Sequence, residues 1–216
     1  VSAGLHHRAD KRRRDVVGAT APAATRRVLL GGLAAGAGSL LLAACGDDTS
    51  GRYGSDEGNG YVAGSGVATE IDSADRTDPI EFSGTTFDDD EFSTADVLGQ
   101  VLVINVWYAS CAPCRKEAPE LKAIFEDYEN QDVAFVGVNV RDAAGPAQAF
   151  EKNYEVPYPS LPDTDSEIMY SMHGQVSPNA VPSTLVLDVE GRVAARISGA
   201  IDSSILRAML DKVLAE

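Results

Sequence analysis

Three cysteines, three histidines and one tryptophan stand among 216 residues. Three thiols are too few for a small secreted domain stapled by disulfides. Two of them, Cys111 and Cys114, form a single CxxC, with no second pair or matching histidine to complete a zinc site. Basic residues are also scarce: 18 Lys and Arg face 33 Asp and Glu, a formal net charge of −15. Seven of those basic residues lie in 1–44 against two acidic ones, so the rest of the chain is more acidic still. A surface of that sign repels nucleic acid, which excludes a nucleic-acid partner. Long apolar runs are scarce too. The one at 28–44 is short and Gly/Ala-rich for a permanent membrane span. The acidic run Asp88-Asp89-Asp90-Glu91 lacks the alternating ligands of a calcium loop and reads as a solvated turn.

What is present centres on Cys111-Ala112-Pro113-Cys114. The motif ends the apolar run 101–107 and opens a helical pattern over 113–130. Two thiols three residues apart at a strand-to-helix junction can close a small disulfide and reopen it. The first lies where unpaired N–H groups and the helix dipole stabilise a thiolate. This is the arrangement for thiol–disulfide exchange. A purely structural bridge over so short a loop adds little chain-entropy stabilisation.

Three segments follow from the composition. Arg26-Arg27, the apolar run and Leu42-Ala43-Ala44-Cys45 have the order of an export signal. The last four residues resemble a bacterial lipobox, in which the cysteine is lipidated and begins the mature protein. Residues 1–44 are therefore expected to be a signal peptide and Cys45 a lipid anchor, placing the protein on the extracytoplasmic face of the cell membrane. The paired arginines also resemble a twin-arginine signal. Residues 45–77, rich in Gly, Ser, Asp and Asn, read as a flexible tether. Residues 78–216 suffice for one compact core.

Within that domain, 80–82 and 86–87 are expected to pair across a Ser83-Gly84-Thr85 turn. A short helix capped by Ser93 ends near Gly99. Residues 101–106 and 133–140 read as buried parallel strands. Helices are expected over 146–154, over 165–173 with Asp165 as cap, and over 202–214. The segments 184–187 and 193–197 form a hairpin about Glu190-Gly191. The predicted order is β-β-α-β-α-β-α-α-β-β-α, an α/β fold with a mixed central sheet flanked by helices and an N-terminal β-hairpin.

Trp107-Tyr108-Ala109-Ser110-Cys111-Ala112-Pro113-Cys114 resembles the W-x-x-x-C-x-x-C site of thioredoxin-like proteins. Val181-Pro182-Ser183-Thr184 resembles their cis-proline segment. Arg115-Lys116-Glu117-Ala118-Pro119 and the extra segment at 143–154 resemble the TlpA/ResA branch. The resemblance implies a thioredoxin-like fold and an extracytoplasmic, membrane-tethered thiol–disulfide oxidoreductase. Its task would be reducing the haem-attachment cysteines of apocytochrome c, or thiols of other exported proteins. A membrane electron donor of CcdA/DsbD type would recharge it. No cofactor or metal is implied beyond the Cys111–Cys114 pair, and a monomer is expected.

The resemblance also assigns roles. Cys111 is the expected nucleophile. Cys114, expected to be the more buried, resolves the mixed disulfide. Glu117, one helical turn after Cys114, is either a solvated helix residue or the proton acceptor of that second thiol. Pro113, Val181 and Pro182 are expected to meet the substrate, with the Val181 carbonyl free to pair with an extended strand. Trp107 is either a substrate contact beside the loop or plain core. Asn105 stands where thioredoxin has a buried aspartate and has no proton to exchange. A Dsb-type oxidase donating disulfides remains the alternative, because CxxC does not fix the direction of electron flow. A peroxidase shares the fold but needs a different loop.

Overall fold

The computed structural model describes residues 66–216. The expected signal peptide, Cys45 and residues 45–65 of the expected tether lie outside the described residues. A six-stranded mixed sheet is built from β1 (Val67–Glu70), β4 (Val101–Trp107), β5 (Val133–Asn139), β6 (Ser160–Pro162), β7 (Ser183–Leu187) and β8 (Val193–Ser198). Their order across the sheet is β1-β8-β7-β4-β5-β6, parallel over β4-β5-β6 and antiparallel elsewhere. β2 (Ser83–Thr85) and β3 (Glu91–Ser93) form a separate antiparallel ribbon. The helices are α1 (Ala112–Tyr128), α2 (Ala144–Tyr154), α3 (Glu167–Ser171) and α4 (Ser203–Leu214).

β4 lies in the middle of the sheet, and all seven of its residues are buried. Alternate side chains point to opposite faces. Val101 and Val103 pack with Leu121 and Ile124 of α1 and with Leu206 and Leu210 of α4. Leu102, Ile104 and Val106 pack on the other face with Ile168 and Met169 of α3 and with Leu185. Asn105 and Trp107 share the parity of Val101 and so face the α1 side. That alternation puts a polar amide and an indole directly beneath the helix carrying the cysteines.

Four expectations need correction. Residues 66–77 belong to the fold and not to the tether: β1 pairs with β8 in register Val67↔Ser198 to Glu70↔Ala195. Arg76 is half-buried with its side chain covered, donating to Asp188 at 2.9 Å and to Glu216 at 2.6 Å. Four residues carry no readable periodicity, and this strand is stabilised by pairing. Second, Ser83-Gly84-Thr85 is strand, and the acidic run makes the turn. Thr86 N donates to Asp90 O at 2.8 Å, and Asp89 has a φ of 65°. Gly84 serves close approach, since a Cβ there would lie 2.8 Å from the Leu161 side chain.

Third, α3 is shorter than expected, and Asp163 is its main cap, while Asp165 accepts only the Glu167 N–H, at 3.4 Å. The Asp163 carboxylate accepts from the N–H groups of Ile168 and Met169, both at 2.8 Å. Its oxygens reach two consecutive orphan donors of the helix start. Fourth, β6 was not foreseen. It spans three residues and ends in a proline, which an edge strand tolerates.

Candidate active site

The site forms where β4 runs into α1. The strand delivers Trp107, and Tyr108, Ala109 and Ser110 cross to the helix. Cys111 is the N-cap, with extended φ and ψ of −70° and 112°. Its N–H donates to Tyr108 O at 3.1 Å, and its sulfur accepts from Cys114 N at 3.1 Å. Pro113 falls in the first turn, where no N–H is missed. The loop is held from outside by Asp142, whose Oδ2 accepts from Ala109 N at 2.5 Å and from Asn139 Nδ2 at 2.9 Å. Cys111 and Cys114 are joined in a disulfide, with Cα atoms 5.2 Å apart.

Glu117 points inward and is 2% exposed. Its Oε1 accepts from Asn105 Nδ2 at 3.0 Å and its Oε2 from Ile201 N at 3.0 Å. The second Nδ2 proton of Asn105 reaches Thr184 Oγ1 at 3.3 Å. Burial pushes the Glu117 carboxyl up from its ordinary value to about 7. The N–H of Ile201 and the Asn105 amide work against that rise, and nearby Glu120 adds to it. The solvated-helix reading of Glu117 is thereby corrected. Asn105 is its anchor, a part played by a residue that cannot itself titrate. Between Cys114, Ala118, Trp107, Asn105 and Tyr158 lies a cavity of about 10 Å³, room for about one water molecule.

The Val181–Pro182 peptide is cis, and Gly199 N donates to Pro182 O at 2.8 Å. Val181 is half-buried and packs against the cluster around the two cysteines. Among the described residues no backbone hydrogen bond engages its N–H or C=O. Pro113 is exposed beside the disulfide, while Pro182 is buried.

A model of the AhpC/TSA family matches residues 77–196, more than half of the chain. The chain belongs to the AhpC/TSA family. Within it, the chain is 30% identical over 112 residues to the thiol-disulfide oxidoreductase ResA of Bacillus subtilis, covering 52% of this chain and 60% of that protein. It is 31% identical over 128 residues to the thiol:disulfide interchange protein HelX of Rhodobacter capsulatus, covering 57% and 67%. A solved secreted thiol-disulfide isomerase from Corynebacterium glutamicum superposes with a TM-score of 0.65 at 28% identity, covering 69% of this chain and 92% of that one. The fold is thioredoxin-like, and the chain sits among family members named for thiol–disulfide exchange.

Two expectations about the family's site residues are corrected by the structure. Cys111 is as buried as Cys114, both 2% exposed in the disulfide. Helix position, not exposure, therefore distinguishes the two sulfurs. Trp107 is 3% exposed and lies against Phe150 of α2, ring centroids 4.4 Å apart. It packs beneath the cysteine loop in one cluster with Cys111 and Cys114, as the core reading expects. Thr184, Ile201 and Asp142 were missed. Thr184 had a signal, two residues past Pro182. Ile201 contributes only a backbone N–H, which no side-chain pattern reports.

Proposed function

We propose that this chain is an extracytoplasmic, lipid-anchored thiol–disulfide oxidoreductase that reduces disulfides in exported proteins, the haem-attachment cysteines of apocytochrome c first among them. The observation that carries the exchange chemistry is the Cys111–Cys114 disulfide at the head of α1, above a buried carboxyl raised to about 7. The choice of apocytochrome c rests on the resemblance to the TlpA/ResA branch. The membrane position rests on the lipobox-like Leu42-Ala43-Ala44-Cys45.

In the reduced protein the Cys111 thiolate accepts the Cys114 N–H and sits at the positive end of the helix. It attacks one sulfur of the substrate disulfide, forms a mixed disulfide and expels the other sulfur as a thiolate. Val181 offers its free backbone groups to the substrate chain as an added strand. Glu117 then takes the proton of the Cys114 thiol, a task suited to a carboxyl near neutral pH. The Cys114 thiolate attacks Cys111, releases the second substrate thiolate and restores the disulfide seen here. Two electrons have passed to the substrate. A membrane dithiol donor of CcdA/DsbD type returns them.

Run backwards, the same steps donate a disulfide, and potential decides the direction. Equilibration of the full chain in glutathione or dithiothreitol buffers with thiol trapping measures it. A value near about −270 mV or lower supports the reductase, whereas one near about −120 mV makes the chain a disulfide donor. Peroxide consumption above a Cys111→Ser background would instead reveal a peroxidase.

A further inference from the structure

We propose that the rim of the cysteine site selects a negatively charged segment of the protein substrate. The inference rests on the exchange chemistry above and not on the direction of electron flow. The described residues are strongly acidic, with ten Lys and Arg against 27 Asp and Glu. Five of the ten, Arg76, Lys122, Arg192, Arg207 and Lys212, are held in ion pairs away from the cysteine loop. Among the described residues Lys152 on α2 and Arg196 on β8 have no such pair, and Arg196 donates to the carbonyls of Gly174 and Gln175.

Arg115, Lys116 and Arg141 are the basic residues gathered at the cysteine loop. Each is exposed, and none has a carboxylate partner within ion-pair distance among the described residues. Arg115 and Lys116 directly follow Cys114 in the first turns of α1. Arg115 Nε donates to Ala109 O at 2.8 Å. The Arg141 guanidinium lies over the Tyr108 ring, 4.2 Å from its centroid. Both arginines are thus tied to the three-residue loop leading into Cys111, while among the described residues their terminal guanidinium N–H groups have no partner.

The acidic groups nearby offset this arrangement only in part. Asp142 sets one negative charge against the three cations, and its Oδ2 is engaged by Ala109 N and Asn139 Nδ2. Glu117 is buried and faces Asn105 and Ile201. Asp89 lines the groove that runs from Arg141 past Phe87 toward Thr164, so the basic character is confined to the rim. A carboxylate close to the target cysteine meets two guanidiniums already held in place, which lowers the ordering cost of a bidentate contact. A carboxylate farther along the groove meets Asp89.

The test uses the full chain in its reduced form and two peptides with the same internal disulfide, flanked by aspartates in one and lysines in the other. Each rate is normalised to that of dithiothreitol with the same peptide, which removes the intrinsic effect of the flanks on sulfur reactivity. The normalised rate should favour the acidic peptide by about fivefold or more at low ionic strength. The preference should shrink toward one at about 1 M salt, where the screening length is near 3 Å. The Arg115→Gln/Arg141→Gln variant should lose the preference at low salt. Equal rates, a preference for the basic peptide, or a preference untouched by both salt and the double substitution would overturn the proposal. The salt series needs no variant, so a folding defect cannot mask the answer. Two further reactions separate the two levels, the reduced chain with glutathione disulfide and the oxidised chain with dithiothreitol: a chain inert to both refutes the exchange reading itself, whichever way electrons flow.

Discussion

Replacing Glu117 with Gln should change how the stability of the oxidised protein depends on pH. The Glu117 carboxyl sits at about 7 in the fold against an ordinary 4.5. Between those values the folded protein holds a proton that the unfolded chain releases. The unfolded state binds fewer protons there, so stability falls as pH rises. The contribution is fully present below pH 4.5 and is lost as pH passes through 7. The displacement corresponds to about 3 kcal/mol, with a slope near 1.4 kcal/mol per pH unit inside the window. Glu117→Gln has no such proton. Its amide oxygen can accept from Asn105 or Ile201, while its NH₂ faces the remaining donor, a penalty that does not vary with pH. Urea unfolding of both proteins across pH about 4 to 8 gives two stability curves. Glu151 and Asp163, also raised by burial, are common to both and cancel in the difference. That difference should fall by about 3 kcal/mol from pH 4.5 to 7 and then level off. A flat difference would mean that Glu117 titrates in the ordinary carboxylate range and that burial does not govern it.

Asn105→Ala should cost about 1–3 kcal/mol in urea unfolding, because Glu117 Oε1 and Thr184 Oγ1 both lose their donor. The same substitution should move the Glu117 titration window upward, since one group favouring the ionised form is gone. Arg76→Ala should cost about 3 kcal/mol, the low end for breaking a buried ion pair, because partner Glu216 keeps solvent contact. A loss below about 0.5 kcal/mol, the usual effect of a surface change, would return residues 66–77 to a tether.

Much of the site was legible because its signals are local. Cys111, Pro113 and Cys114 lie within one helical turn, and the strand before them and the helix after them carry strong apolar patterns. The same holds for the stripe Leu206, Met209, Leu210 and Val213 on α4, buried as its spacing required. Where the reading failed, the determinant lay elsewhere in the chain. β1 and β6 are too short to show a period and exist because β8 and β5 offer open edges. The turn placed at Gly84 moved to the acidic run because that glycine answers to Leu161, far along the chain.

The sequence by itself determined the cysteine pair, its place at a helix start, the order of the central strands and the acidic balance of the surface. Each follows from residue type and spacing within a few turns of chain. Tertiary structure alone decided the electrostatics of the site. Glu117 gains its raised carboxyl only because the packed fold buries it, and Asn105, 12 residues away, and Ile201, 84 residues away, converge to hold it there. Arg141 reaches the active-site rim only because β5 runs parallel to β4 and ends beside it. Such convergence depends on which strands pair, and pairing is a property of the whole chain.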